Sequence, residues 1–487
     1  MSSPAATRAS PRYVACLTAL LAVATLLVSA CVPQMRIAWS ADGQQALVCA
    51  ADGLHLMTPD GKLSPLLLPK AHWAAWTGPD TALVSYDAPV KTWAEAKALL
   101  TPDDANLCED LGESLLRQLR RAKGHGSEAL AALGQSPLGQ VECAAAMPVL
   151  LYAVDRDRQL VVDRIGLKDV NEGLAGATLG ELAQVHLAGG KLTVLTRLAA
   201  GGQTLFAALN PMFDWVLFTQ KRLGHQDVSL GVVPLGGGAI HWLSDGVKEY
   251  ADWSVDGRAI VGVAQSGPAD SATALGEVHR FAVLSADGDL EADPPSSSDD
   301  TLAAVLAPAA APLRVLPDGR VLFVSAAATL PAKDLEPAAT LYVIPASGGA
   351  PRPVLAEVDG KAFPVEAFAV SPDQTRIAVF AGGQVGVARI DGPLPAQVAV
   401  SPVAANGDSE MIPAWRGNSQ LTFEVSGAAG APGQERQVVL STLDWKTTVL
   451  SGTWPRDAWD GWLNKGPATQ AARPEATQPG AGRGKTP

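Results

Sequence analysis

What this 487-residue chain has little of narrows its function first. Charged residues make up 18% of it and hydrophobic ones 47%, so there is ample material for a core and no case for global disorder. Basic residues are outnumbered 37 to 49, for a net charge of −12. A nucleic-acid binder needs a basic footprint, so no nucleic-acid partner is expected. The seven histidines, His55, His72, His125, His186, His225, His241 and His279, form no H-x-H or H-E-x-x-H pair. No metal site and no cofactor is expected from them; each is more simply a strand or surface residue. No serine is flanked as G-x-S-x-G, which leaves out the nucleophile elbow of the α/β-hydrolases. No catalytic residue can be named. The closing Gly482-Arg483-Gly484-Lys485-Thr486 is superficially like a phosphate loop, but position 479 is Pro where that motif needs Gly. No run after residue 30 is long and apolar enough to span a bilayer.

The first residues have the order of an export signal. Met1 to Tyr13 carry Arg8 and Arg12 and no acid, and Val14 to Ala30 is apolar and ends in small residues. Leu27-Val28-Ser29-Ala30-Cys31 then resembles the lipobox of bacterial lipoproteins. That resemblance implies removal of residues 1–30 and lipidation of Cys31, hence membrane attachment through a lipid anchor on the extracytoplasmic side. With Arg8 and Arg12 gone, 35 basic residues would face 49 acids, a net of −14.

Five cysteines sort under this scheme. Cys16 leaves with the signal and Cys31 takes lipid. Cys49 lies in an apolar strand-like run and suits a buried, inert thiol. Cys108 and Cys143 flank a helical segment and are the preferred disulfide pair, since export permits disulfides.

The fold is carried by a recurring stretch, clearest at Trp253-Ser254-Val255-Asp256-Gly257-Arg258. A short apolar run meets an Asp-Gly turn and a second apolar run follows, a strong hairpin signal. Turn anchors recur at Asp42, Asp80, Asp214, Asp256, Asp318, Asp373 and Asn418, with gaps of 38, 134, 42, 62, 55 and 45. The shorter gaps suit a propeller blade of roughly 40–50 residues. An apolar four-stranded sheet cannot bury both faces alone, and radial stacking of neighbours solves that. The chain is therefore expected to be all-β, a β-propeller of seven four-stranded blades, with six or eight still open, over residues 31–463. Residues 464–487 are expected to be a disordered tail.

The two long gaps need explaining. The first holds a helical insertion in the second blade, over residues 91–141. Trp93–Leu100 and Ala105–Ala122 are the expected helices, the latter with Leu107, Leu111, Leu115 and Leu119 on one stripe. Arg117 to Lys123 make a basic stretch that could meet anionic headgroups or an acidic partner. Strands are expected to resume at Val149–Val154 and Gln159–Asp163. The second gap holds Glu291–Ala311, expected to be a Pro/Ser-rich loop.

Ser371-Pro372-Asp373, Leu316-Pro317-Asp318-Gly319-Arg320 and Trp253 to Arg258 resemble the turn signature of TolB-like and WD40-like propeller repeats. Leu341 to Gly349 is similar to their downstream element. The resemblance spans most of residues 34–451 and implies a propeller. It implies no single activity, since propellers host binding, scaffolding and catalysis alike.

The repeated aspartates are expected to form turns, and Trp39, Trp76, Trp253 and Trp415, each just before a turn, to pack between blades. The functional expectation is a lipid-anchored extracytoplasmic propeller acting as a non-catalytic binding or scaffold module in the bacterial cell envelope, with a protein or glycan partner. The alternatives are a lactonase, lyase or glycan hydrolase acting at the mouth of the central channel, and a small-ligand sensor or accessory subunit.

Overall fold

The computed structural model describes residues 34–121, 143–166, 170–171, 174, 177–223, 225, 227–266, 275–290, 301–308, 311–327, 339–358, 360–406, 411–426, 436–455 and 458. The signal segment, Cys31 and the tail lie outside them.

The strands come in antiparallel runs of four. The first sheet holds β1 (Ile37–Trp39), β2 (Ala46–Cys49), β3 (Gly53–Met57) and β4 (Leu68–Pro69). The second holds β5 (Ala71–Trp76), β6 (Thr81–Pro89), β7 (Thr178–Ala188) and β8 (Lys191–Ala200). The third holds β9 (Gln203–Leu209), β10 (Trp215–Lys221), β11 (Val228–Pro234) and β12 (His241–Asp245). Eight strands follow in one sheet. They are β13 (Val247–Trp253), β14 (Ala259–Ser266), β15 (Leu275–Ala282), β16 (Thr301–Pro308), β17 (Arg314–Val315), β18 (Val321–Ala327), β19 (Thr340–Ile344) and β20 (Arg352–Pro353). Next is β21 (Ala367–Val370), β22 (Arg376–Ala381), β23 (Gln384–Arg389) and β24 (Val398–Val400). The last sheet is β25 (Ala414–Arg416), β26 (Gln420–Ser426), β27 (Arg436–Thr442) and β28 (Thr447–Val449).

These sheets form a β-propeller. The first strands of neighbouring sheets touch in the order β1, β5, β9, β13, β17, and β21 touches β25, which touches β1. They make the inner ring, and later strands step outward. Apolar side chains fill the seams. Leu47, Leu54, Val84 and Val185 pack between the first two sheets, and Trp73, Leu182, Ala207 and Phe218 between the second and third. Leu322, Leu341, Phe368 and Ile377 fill the seam ahead of β21. The largest cluster includes Phe206, Tyr250, Phe281, Phe323, Phe380 and Phe423 and joins the remaining seams. Burial of this kind contributes about 25 cal/mol per Å² of apolar surface.

Among the described residues the ring closes between the last sheet and the first without exchanging a strand. Ile37, Trp39 and Val48 share a cluster with Ala414, Val438 and Leu440. Gln34 bridges Met411, and Ile412 N donates to Gln34 O at 3.0 Å. Arg416 Nε donates to Gly43 O at 2.8 Å, and its guanidinium lies 4.9 Å over the Trp39 ring.

The sheets differ from seven separate four-stranded units in one place. Five are separate, but β16 continues onto β18, where Leu306 pairs Ala327 and Pro308 pairs Ser325. The segment Thr301–Pro308, expected to be part of a loop, is therefore a strand. Its Ala and Val pair β15 on one side, so the Pro- and Ser-rich composition of the preceding stretch does not extend through it.

The insertion lies between β6 and β7. Helix α1 (Trp93–Leu99) is capped by Thr92, whose hydroxyl accepts Glu95 N at 3.2 Å. Helix α2 (Pro102–Arg121) starts at Pro102 behind Thr101, whose hydroxyl accepts Asp104 N. Helix α3 (Cys143–Ile165) is kinked at Asp157 and occupies the two segments expected to resume as strands, so the insertion runs past residue 141. Apolar runs such as Val149–Val154 do not distinguish strand from buried helix by themselves. Here Leu151, Tyr152, Ala153 and Val161 pack on Leu115, Leu116 and Leu119 of α2. Gly112 permits the approach, since a Cβ there would stand 2.2 Å from the Tyr152 ring.

Candidate functional site

The repeated aspartates form turns. Ser40 Oγ donates to Asp42 Oδ1 at 2.6 Å and accepts Gln45 N, while Asp42 accepts Gln44 N. Ser254 with Asp256 and Ser371 with Asp373 repeat this at 2.6 Å. Those hydroxyls hold Asp42, Asp256 and Asp373 below the usual carboxylate range. Asp318 accepts Arg320 N at 3.1 Å. Asn418 departs from the pattern by accepting Asp373 N from the neighbouring sheet at 3.0 Å.

The recurring tryptophans pack between blades. Trp76 Nε1 donates to Ala38 O at 2.9 Å, Trp253 to Ala208 O at 3.2 Å and Trp415 to Ala369 O at 2.9 Å. Each acceptor lies on the first strand of the preceding sheet. Trp39 instead bonds the Thr422 hydroxyl across the closing seam, at 2.8 Å. Beyond β28, Trp454 Nε1 donates to Gly61 O at 2.9 Å in the first sheet. Trp459 and Trp462 lie outside the described residues.

Met35, just ahead of β1, packs against both the Trp73 cluster and the large Phe206 cluster, so it stands between different sectors of the ring. Successive first strands contribute an aromatic row: Trp73 and Phe206 at 6.1 Å, then Phe206 and Tyr250 at 5.2 Å, with Arg314 5.7 Å over Phe206. All first strands run the same way, so the insertion between β6 and β7 lies on the face where they begin.

Three acids within the sheets stand apart from the turns, Glu181 and Glu424 buried and Asp252 half-buried. Glu181 on β7 is fully buried, with Arg197 Nε 3.0 Å from Oε1. The Tyr86 hydroxyl also bears on it, yet neither oxygen meets good hydrogen-bond geometry. Burial raises its pKa, against the lowering by Tyr86 and Arg197. Asp252 on β13 accepts Val315 N at 3.0 Å from β17; burial raises it, with Arg314 opposing. Glu424 on β26 accepts Asn406 Nδ2 at 2.6 Å beside Arg436. These acids lie on different sheets and tie strands together. Sequence reasoning missed Glu181, although a period of two shows it in phase with Leu179, Ala183, Val185 and Leu187, all buried.

The histidines do not converge. His55 bonds Ser64 O and Asp52, His279 lies 2.9 Å from Glu277, and His72 lies 3.1 Å from Asp87. Among the described residues no group of three His, Cys, Asp or Glu could hold a metal ion. His125 lies outside them. Cys49 is buried and its thiol is pushed up to about 12 by burial. Cys108 is likewise buried on α2 and has no disulfide partner among the described residues; as a thiol it is pushed up to about 12 by burial and then by Asp104 and Glu109. Cys143 opens α3, but its side chain lies outside the described residues, as do Cys16 and Cys31.

Two surfaces remain. A groove of about 430 Å³ opens between the β14 and β17 strands, lined by Val255, Val261, Val315 and Pro317 with Asp256, Asp318 and Arg280 at its polar positions. Asp256 and Asp318 are committed to their own turns, and Arg280 donates to Ala346 O at 2.8 Å. The insertion is the other surface. It leans on the third sheet through Leu223, which joins its core, and through Asp104, 3.9 Å from Arg222. Arg222 stacks 4.2 Å over Trp242. Arg117 and Arg121 are exposed on α2, while Arg120 meets Asp157 at 3.3 Å. Lys123 lies outside the described residues. No helix among the described residues is long and apolar enough to cross a membrane.

No family model matches the chain, and no curated protein matches it. Several solved structures are similar. Hydrazine synthase of Kuenenia stuttgartiensis is 10% identical, over 84% of this chain and 95% of that one, with a TM-score of 0.44. Oligogalacturonate lyase in complex with manganese is 12% identical, over 75% of each chain, at 0.37. A nidogen/laminin complex is 10% identical, over 54% of this chain and 86% of that one, at 0.32. None of these likenesses assigns an activity to this chain.

Proposed function

We propose that this chain is a lipid-anchored, extracytoplasmic binding or scaffold module of the bacterial cell envelope, built as a seven-bladed TolB-like propeller. Its partner is an envelope protein or glycan. The seven-blade count is supported by 28 strands among the described residues, in sequential sets of four, with the eight-stranded sheet taken as two blades joined where β16 meets β18. The anchor is supported by the lipobox-like Leu27 to Cys31, three residues ahead of Gln34. A Cys108–Cys143 disulfide belongs to the same reading, because export would permit it.

One observation favours binding over catalysis at the channel mouth. Met35, just ahead of β1, packs against both the Trp73 and the Phe206 clusters, and Trp73, Phe206 and Tyr250 form a packed row along successive first strands. A substrate entering there would have to displace packed apolar side chains, which costs about 25 cal/mol per Å² exposed. Recognition is therefore assigned to the outer surfaces.

Two measurements test the proposal. Mass spectrometry of the chain purified from membranes is expected to show Cys31 as the first residue, carrying lipid; an intact, unacylated start overturns the anchor. Cross-linking in intact envelopes is expected to trap a protein or glycan. Recovery of neither, or turnover of lactones or polysaccharides by the purified chain, overturns the binding reading.

A further inference from the structure

The seams between sheets repeat one arrangement, and one seam departs from it. At or just before the end of the first strand, one residue faces the preceding sheet. In β1, β5, β13 and β25 it is an indole: Trp39, Trp76, Trp253 and Trp415, paired with Ala46, Ala82, Ile260 and Leu421. In β9, β17 and β21 the same register place holds Leu209, Val315 and Val370, paired with Val216, Val321 and Ile377. Leu209 packs in the cluster of Leu83, and Val370 in that of Leu322.

At Val315 the seam stays open. The groove of about 430 Å³ lies there, between Val315 and Val261. Val261 is the cross-strand partner of Asp252, as Thr422 is of Ala414, and Thr422 is what the Trp39 indole meets in its own seam. The groove therefore takes the place that an indole fills elsewhere in the ring. Asp252 accepts Val315 N between the two inner strands, and the groove runs outward from there to Arg280 on β15. Val255 lines it and is 46% exposed; Met212, 66% exposed, lies beside Gly257 in the adjoining turns. Exposed apolar surface next to a concave site marks a contact surface.

We propose that this groove receives a tryptophan side chain, followed by a lysine or arginine, from a segment of a partner protein. This deepens the reading of the ring as a binding module and rests on it. The ring's own seams show which side chain the wedge takes, and a buried indole is a common anchor of interfaces. Charge selects its neighbour. Asp318 spends both oxygens on Arg320, and Arg280 is held by Ala346 O. Asp256 spends Oδ1 on Ser254 and Arg258 N, and among the described residues no donor meets its other oxygen. On a chain of net charge −12 that carboxylate complements a cation. The chain ahead of β1 enters at the opposite face, so the proposed anchor leaves this groove turned away from the bilayer.

The test uses the full chain in nanodiscs and labelled six-residue peptides with tryptophan then lysine at the centre, read by anisotropy. Saturable binding is expected. It should weaken about tenfold, about 1.4 kcal/mol, when leucine replaces the tryptophan, and equally when Val255→Glu charges the exposed mouth. Val315→Trp is expected to fill the groove from the ring's own side and abolish binding. Asp256→Asn, which keeps an acceptor for the turn, is expected to remove the preference for lysine over alanine after the tryptophan. Circular dichroism checks that each variant is folded. Absence of peptide binding, binding unchanged in Val315→Trp and Val255→Glu, or equal binding of the leucine peptide overturns the proposal. So does a wild-type dimer that Val315→Trp converts to monomer, which makes a second copy the occupant. If envelope cross-links persist in Val315→Trp while no peptide binds the wild-type chain, the groove proposal fails and the binding module stands.

Discussion

The indole of Trp76 donates to the carbonyl of Ala38, 2.9 Å away on the first strand of the preceding sheet. Trp253 with Ala208 and Trp415 with Ala369 repeat the contact at other seams. A bulky ring thus fills the wedge between two sheets while its one polar atom fixes their spacing. An indole suits this because it buries a large apolar surface and keeps a donor.

Trp415→Phe keeps most of the packing and removes the donor to Ala369. It is expected to lower stability by about 1 kcal/mol, whereas Trp415→Ala is expected to cost about 3–5 kcal/mol through the cavity it leaves. Denaturant melts of the two variants check the order.

Glu181 is raised from its ordinary 4.5 by burial. The folded state therefore holds its proton more tightly than the unfolded one. The stability this contributes is full below pH 4.5 and is lost as the pH rises through the raised value. Glu181→Gln is expected to flatten the profile in that window, checked by melting both proteins from pH 4 to neutrality.

Asp256 is held below its ordinary 3.8, first by the Ser254 hydroxyl. Its contribution is present above 3.8 and is lost as the pH falls through the depressed value. Ser254→Ala is expected to move the titration of Asp256 upward toward 3.8, read by carboxyl NMR.

Gly112→Ala would set a methyl 2.2 Å from the Tyr152 ring. It is expected to destabilise the insertion by about 1–3 kcal/mol. Loss of helical dichroism at a lower temperature, with the sheet signal unchanged, checks that the ring does not depend on the insertion.

Much of the ring was legible because its turns are local. Ser254, Asp256 and Gly257 form their hairpin from neighbours in sequence, so short-range chemistry predicts it. Helices α1 and α2 were legible for the same reason, the second through its stripe of Leu107, Leu111, Leu115 and Leu119. What was missed depends on distant partners. Val149 to Asp163 is helical because α2 offers it a face, and β16 turns onto β18 through residues that alone look like a loop. Of the candidate surfaces, the tryptophan seams were foreseen. The packing of Met35 against two clusters of the ring was not, since it is set by what surrounds it and not by its own pattern.

The ring has a clasp. Every blade is knitted from its own consecutive stretch, and the two ends meet through Gln34 and Ile412, Arg416 on Gly43, and Trp454 on Gly61. A pull between the ends would load that junction before any multi-rung ladder, so the circle should spring open there first, with its blades still woven.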